Sequence, residues 1–206
     1  MKTKILKADE KSVEQTAEIL RKGGICVYPT ETCYGLGCDA TNKKAIKKIR
    51  KIKKIDNNKK ISIIVSDIEM MKNYGIIPKR VRRIIQICMP APLTIVVNKR
   101  ESIPDILNKE EIAFRIPNNI VALKLAKKLG KPITATSANI TKNGPIYNIE
   151  KVIKIFDKKV DVILDAGNLS EVDPSTIIDM KDDKIKLIRE GPVKLSLIKK
   201  LNRIKN

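Results

Sequence analysis

Apolar residues recur along this chain in two rhythms, one helical and one strand-like, and their alternation points to the fold class. Ala45, Ile46, Ile49 and Ile52 return every three or four residues behind Asn42, a good capping residue, so one helical face is apolar. The other positions of that stretch carry Lys43, Lys44, Lys47, Lys48 and Arg50. The same spacing places a helix after Pro78, with Val81, Ile84, Ile85 and Cys88 on its apolar face. Another follows Asn118 or Asn119, with Val121, Ala122, Leu125, Ala126 and Leu129 closed by Gly130. Ser12 and Gln15 form a capping box that opens a helix to about Lys22, with Gly23 and Gly24 as its stop. Asn148 caps a short helix to Phe156, and Pro192 begins a last one with Leu197, Ile198 and Leu201. Between these lie short apolar runs bounded by turn residues, which predict buried strands at 25–29, 61–65, 93–97, 112–116, 132–135, 160–164, 175–179 and 185–189. Without a repeat, a low-complexity tract or a linker, residues 1–206 are expected to form one α/β domain around a mixed sheet.

One strand exit stands out. After the run Ile25-Cys26-Val27-Tyr28, Pro29 has no N–H to give and is expected to end ladder pairing. Thr30, Glu31 and Thr32 then offer two hydroxyls and a carboxylate, and Gly35 and Gly37 permit close backbone approach. Open α/β sheets bind ligands at such exits. On local chemistry alone, an ordinary strand-to-loop turn explains the segment at least as well.

Composition narrows the chemistry. Forty-three Lys and Arg against 23 Asp and Glu give a net charge of +20, which suits an anionic partner such as a nucleotide or nucleic acid. Aromatic residues are only 3% of the chain and none interleave with the basic segments, so a solvated basic surface is the simpler reading of that charge, and a weak tRNA contact stays open. Lysine enrichment is also a thermophile tendency. Histidine is absent, which excludes Ser-His-Asp and Cys-His catalysis and histidine zinc sites. Four cysteines at 26, 33, 38 and 88 form no CxxC pair and read as reduced hydrophobes, as in cytosol. No run approaches a membrane span, so a cytoplasmic protein without a membrane partner is expected.

Further polar groups fall at the ends of apolar runs: Arg115, Ser137 with Asn139, Ser175 with Thr176, and Arg189. If the strands converge, two arginines and several hydroxyls would share a crevice suited to a polyphosphate. Each alone is explained by a surface ion pair, a helix cap or a strand start.

Taken in order, these elements resemble the YrdC/Sua5 family of L-threonylcarbamoyladenylate synthases. The resemblance rests on Pro29-Thr-Glu-Thr-Cys-Tyr-Gly-Leu-Gly37, Lys53 at a helix end, Met89-Pro-Ala-Pro-Leu-Thr94, Phe114-Arg-Ile-Pro117, Ala135-Thr-Ser-Ala-Asn139, Asp173-Pro-Ser-Thr-Ile-Ile-Asp179 and Leu187-Ile-Arg-Glu-Gly191. It covers about residues 9–195 in family order. It implies a twisted mixed parallel and antiparallel sheet flanked by helices around a basic concave cavity. It implies a nucleotidyltransferase that joins L-threonine, bicarbonate or CO2 and ATP, accompanied by Mg2+, into threonylcarbamoyl-AMP and pyrophosphate. The product would go to a separate threonylcarbamoyl-transferase complex that makes t6A in tRNA. By resemblance, Thr32, Arg115, Ala135 and Ser175 hold threonine. Lys53, Lys59, Ser137, Asn139, Pro145 and Arg189 hold ATP, with Lys53 and Arg115 neutralising charge in catalysis and no protein ligand to a metal assigned.

The chain departs from the family pattern in places. The arginine of the Lys-x-Arg element is Ile55, with Lys54, Lys59 and Lys60 as candidate replacements; a frequent histidine is Ile64; and Pro-Gly-Pro is Pro-Ala-Pro at 90–92. The rival readings are an RNA-binding protein without catalysis, a carbamoyl-transfer domain like that of hydrogenase maturation proteins, and an inactive paralogue raised by Ile55.

Overall fold

The computed structural model describes residues 2–56, 59–140, 144–182 and 184–203. Asn57 and Asn58, in the stretch after Ile55, lie outside the described residues. The elements run β1 (Lys4–Lys7), α1 (Glu10–Arg21), β2 (Cys26–Pro29), β3 (Tyr34–Gly37), α2 (Lys43–Lys53), β4 (Ser62–Ile64), α3 (Ile68–Lys72), α4 (Lys79–Cys88), β5 (Leu93–Asn98), β6 (Glu111–Arg115), α5 (Ile120–Leu129), β7 (Ile133–Ser137), α6 (Ile149–Phe156), β8 (Val162–Asp165), β9 (Thr176–Asp179), β10 (Lys186–Arg189) and α7 (Leu195–Arg203). Among the described residues, no helix is long and apolar enough to cross a membrane.

Local signals account for most helix ends. Asn42, Asn119 and Asn148 each accept a hydrogen bond from first-turn N–H groups, and Gly130 closes α5 at φ 72. The first helix corrects the expected capping box. Its cap is Asp9, whose carboxylate accepts from the Ser12 N–H at 2.8 Å, while Ser12 lies inside the helix and its carbonyl receives the Thr16 hydroxyl. Two short elements, β1 and α3, were absent from the periodicity because four and five residues are too few to show a rhythm. The last helix starts at Leu195 rather than at Pro192.

All ten strands join one mixed sheet in the order β1-β8-β2-β3-β7-β4-β6-β5-β9-β10. Alternation sorts their side chains onto two faces. One face carries Val27, Leu36, Ile63, Ile95, Val97, Phe114, Ile163 and Ile178 into the larger core, which α2, α4, α6 and α7 cover. The other face carries Cys26, Tyr28, Ile64, Ile133, Val162 and Leu164 under α1 and α5, which pack on each other and reach β8, β2 and β4. Further across the sheet the same face continues in Ser62, Ala135, Ser137, Arg115, Thr94 and Ile177. These residues border a cavity.

The segment around Thr30 is a hairpin, not a loop following a strand. Tyr34–Gly37 is itself a strand, antiparallel to β2, and the register runs to Pro29 opposite Tyr34. Pro29 is tolerated because the Tyr34 N–H turns away to the Ile146 carbonyl at 3.1 Å, so this pair needs no donor from Pro29. Gly35 and Gly37 serve an aromatic ring. Tyr28 is fully buried across from them and donates its hydroxyl to the Thr134 carbonyl at 2.9 Å. A Cβ at Gly37 would lie 2.6 Å from Tyr28 Cε1, and one at Gly35 would lie 2.9 Å from Cζ.

Gly37→Ala should therefore destabilise the fold by about 1–3 kcal/mol, the usual cost of overpacking, read as a Tm lower by several degrees in thermal unfolding. Combining it with Tyr28→Leu should cost less than the sum of the two single variants. Strict additivity would contradict the proposed ring contact.

Candidate functional site

The cavity occupies about 320 Å³, at the lower end of small-molecule sites. Ser62, Thr94, Arg115, Ala135, Ser137 and Ile177 border it from the sheet, Thr32 and Cys33 from the β2–β3 turn, and Pro145, Tyr147, Val172 and Pro174 from loops. A recess of about 250 Å³ continues along the same sheet face, sharing Lys60, Ser62 and Ile177. Among the described residues, the charged ones in the lining are Lys60, Arg115 and Arg189, with no carboxylate.

One end is built on the hairpin turn. The Thr30 hydroxyl donates to the Cys33 carbonyl at 2.7 Å and sits 3.0 Å from Thr32 Oγ1, so the turn aims Thr32 by its own hydrogen bonds. Arg115, buried at the end of β6, donates from Nη1 to Thr32 Oγ1 at 3.1 Å. Its Nη2 lies 2.9 Å from Glu31 Oε1, an ion-pair contact that falls short of hydrogen-bond geometry. Ile64, opposite Arg115 in the β4–β6 register, is fully buried under the helices.

The facing wall is held by β9 and β10. Ser175 Oγ lies 2.9 Å from Thr94 Oγ1, and Arg189 donates from Nε and Nη2 to the Ser175 carbonyl at 3.0 and 2.8 Å. The Pro-Ala-Pro turn supports this wall, since the Thr176 N–H donates to the Pro92 carbonyl at 2.9 Å. Gly191 permits it sterically: a Cβ there would lie 2.2 Å from the Pro174 carbonyl oxygen. Partial burial, and after it the neighbouring Arg115, lower the pKa of Arg189. Two guanidinium groups near enough to repel form a wall that favours an anion between them.

Lys53 stands behind the cavity and is not among its lining residues. Its ammonium donates to the carbonyls of Ser137 and Asn139 and to Asn139 Oδ1, which also receives the Ser137 hydroxyl. Burial pushes Lys53 down to about 8. Asn139 donates from Nδ2 to the Gly144 carbonyl at 3.3 Å and also lies outside the lining. The segment after α2 is pinned by buried Arg50, which donates to the carbonyls of Asp56, Lys59 and Ile106. Ile55 packs against the larger core. Lys59 is exposed and off the cavity, whereas Lys60 lines it and pairs with Glu111.

Of the residues expected at the site, Thr32, Arg115, Ala135, Ser137, Pro145, Ser175 and Arg189 line one cavity, while Lys53, Lys59 and Asn139 do not. Sequence reasoning did not single out Ser62, Thr94, Tyr147 or Cys33. Ser62 and Thr94 carried a usable signal, since each interrupts an apolar strand on the face where a core residue belongs. Tyr147, whose hydroxyl donates to the Val172 carbonyl at 3.3 Å, sits in irregular chain and carried none. Burial raises the Cys33 thiol, so it stands in the cavity as a neutral group and not as a nucleophile. Among the described residues, no cluster of three or more His, Cys, Asp or Glu side chains is placed to hold a metal.

Known proteins are similar to this chain in sequence and in fold. A family model for Sua5, YciO and YrdC, described as "Telomere recombination", matches residues 18–191. A Methanocaldococcus jannaschii protein described as "Putative threonylcarbamoyl-AMP synthase" is 36% identical over 200 residues, 94% of this chain and 95% of the relative. The structure of Pyrococcus abyssi Sua5 complexed with L-threonine superposes with a TM-score of 0.91 at 30% identity, covering 97% of this chain and 61% of that one. Escherichia coli YciO superposes with a TM-score of 0.85 at 27% identity, covering 95% and 98%. This chain thus spans under two thirds of the Sua5 structure it matches and nearly all of YciO. With the motifs in order and the cavity they build, the chain belongs to the Sua5/YciO/YrdC family.

Proposed function

We propose that the protein is an L-threonylcarbamoyl-AMP synthase, converting L-threonine, bicarbonate and ATP to L-threonylcarbamoyl-AMP, pyrophosphate and water. The observation that carries this reading is the pair of arginines, Arg115 and Arg189, bordering one cavity that is also lined by the hydroxyls of Thr32, Thr94, Ser137 and Ser175, with no carboxylate among the described lining residues. Relatives with the same fold bear that name, and one is titled as a complex with L-threonine. The product would feed a separate threonylcarbamoyl-transferase complex in t6A synthesis on tRNA.

The amine of threonine attacks the bicarbonate carbon, and the bicarbonate hydroxyl leaves as water with one amine proton, giving a carbamate; a carbamate oxygen then attacks the α-phosphorus, whose bond to the bridging oxygen breaks to release pyrophosphate. None of these steps needs histidine or a covalent enzyme intermediate. Thr32, Arg115, Ser175 and the Ala135 backbone would bind and orient threonine. Ser137, Pro145 and Arg189 would hold the nucleotide, with Lys60 at the rim supplying further positive charge. Lys53 would act from behind, keeping the turn of Ser137 and Asn139 in shape, instead of touching phosphate. Mg2+ would arrive on the nucleotide, whose phosphates supply the anionic oxygens that the described lining residues lack.

Purified protein given the three substrates should release pyrophosphate only when threonine is present, and mass spectrometry should detect threonylcarbamoyl-AMP. Folded protein that yields neither would contradict the assignment. Arg115→Lys keeps the charge but loses the planar fork, and should weaken threonine binding by about tenfold to a hundredfold.

Nucleotide affinity should depend on pH through Lys53. Its folded-state pKa of about 8 lies below the ordinary lysine value of 10.5, so charging it opposes folding below about pH 8. That penalty is relieved as pH rises from about 8 toward 10.5. Binding is expected to run the other way, because the deprotonated amine cannot donate to three acceptors. Calorimetric ATP affinity should fall with an apparent pKa near 8, and Lys53→Gln should abolish the step. An unchanged affinity from pH 7 to 9.5 would refute this role.

A further inference from the structure

Glu31 lies outside the cavity lining, yet one of its oxygens touches two elements of the site. Oε1 accepts from the Asn118 N–H at 2.9 Å, which ties the β2–β3 hairpin to the loop before α5. The same oxygen lies 2.9 Å from Arg115 Nη2. Glu31 Oε2 and Arg115 Nε and Nη2 are buried and have no hydrogen-bond partner among the described residues, so the Glu31–Arg115 contact is an ion pair and not a hydrogen bond. A guanidinium has five N–H donors. Thr32 meets Nη1 and Glu31 faces Nη2, so contacts at both terminal nitrogens set how the guanidinium lies beside the cavity, where it would grip a carboxylate. Such a grip depends on the plane of the guanidinium, and Arg115 is attached to its strand by a flexible side chain. Thr32 alone, through a single hydrogen bond, leaves that plane free to rotate about the contact. A second contact, at the other terminal nitrogen, removes this freedom.

We propose that Glu31 is a positioning residue for Arg115, fixing the guanidinium plane so that the cavity accepts the α-carboxylate of a small amino acid. The inference rests on the threonine reading above and deepens it by naming what sets amino-acid affinity. It separates Glu31 from a purely structural staple, because the Asn118 contact alone would hold the hairpin without regard to Arg115.

Isothermal titration of L-threonine and, separately, of ATP into wild type, Glu31→Gln and Glu31→Ala tests this. Glu31→Gln retains an oxygen for the Asn118 N–H and loses the ion pair. Threonine affinity should fall about tenfold in the Gln variant and further in the Ala variant, while ATP affinity stays within about twofold. Threonine affinity unchanged in folded Glu31→Gln overturns the proposal and leaves the functional reading intact. Parallel loss of both ligands assigns Glu31 a structural role and also overturns it. If wild type binds ATP but no threonine, the functional reading fails and this inference fails with it.

Discussion

Two helices cover only part of one face of a ten-stranded sheet, and the site follows from that shortfall. Over β8 and β2, α1 and α5 bury Cys26, Tyr28, Val162 and Leu164. Toward β6, β5 and β9 the same alternation presents Arg115, Thr94 and Ile177 to a cavity. The opposite face carries Ile63, Ile95, Phe114 and Ile178 in unbroken register under the other helices. A rigid floor backed by a packed core can hold polar side chains at fixed separations. The cavity is the part of the sheet that the core does not use.

Cationic groups at that floor and behind it are held mainly by neighbouring backbone. Arg189 rests on the Ser175 carbonyl, Lys53 on the Ser137 and Asn139 carbonyls, and Arg50 on three carbonyls of the loops beside α2. Neutral acceptors orient a cation without cancelling its charge. Arg115 and Lys60 are the exceptions, facing the Glu31 and Glu111 carboxylates, and Arg115 is the more buried of the two arginines at the cavity. Arg189, held by neutral oxygens alone, leaves positive charge at this wall for ligands that bring several negative charges, as a carbamate and a triphosphate do.

Much of the fold was legible because its signals are local. Asn42, Asn119 and Asn148 cap helices through their own side chains, and the strands at Leu93–Asn98 and Glu111–Arg115 read directly from apolar runs. The hairpin was not legible, because its glycines answer to Tyr28 across the sheet instead of to the local turn. Likewise, the family pattern drew attention to Lys53, but not to its position behind the cavity. Its three oxygen acceptors lie more than eighty residues away, and only tertiary structure brings them to it. Lys60 could not be separated from Lys59 by sequence, since adjacent lysines differ here only in which way the pinned loop turns them.

In the proposed function, one half-covered sheet face holds both substrates at once, with threonine at the Thr32 and Arg115 end. A crystal structure with L-threonine and a non-hydrolysable ATP analogue tests it most directly. The prediction is a threonine carboxylate on Arg115 with its hydroxyl near Thr32 or Ser175, and phosphates between Ser137 and Arg189. Threonine bound away from Arg115, or a nucleotide seated on another surface while this cavity stays empty, would contradict it.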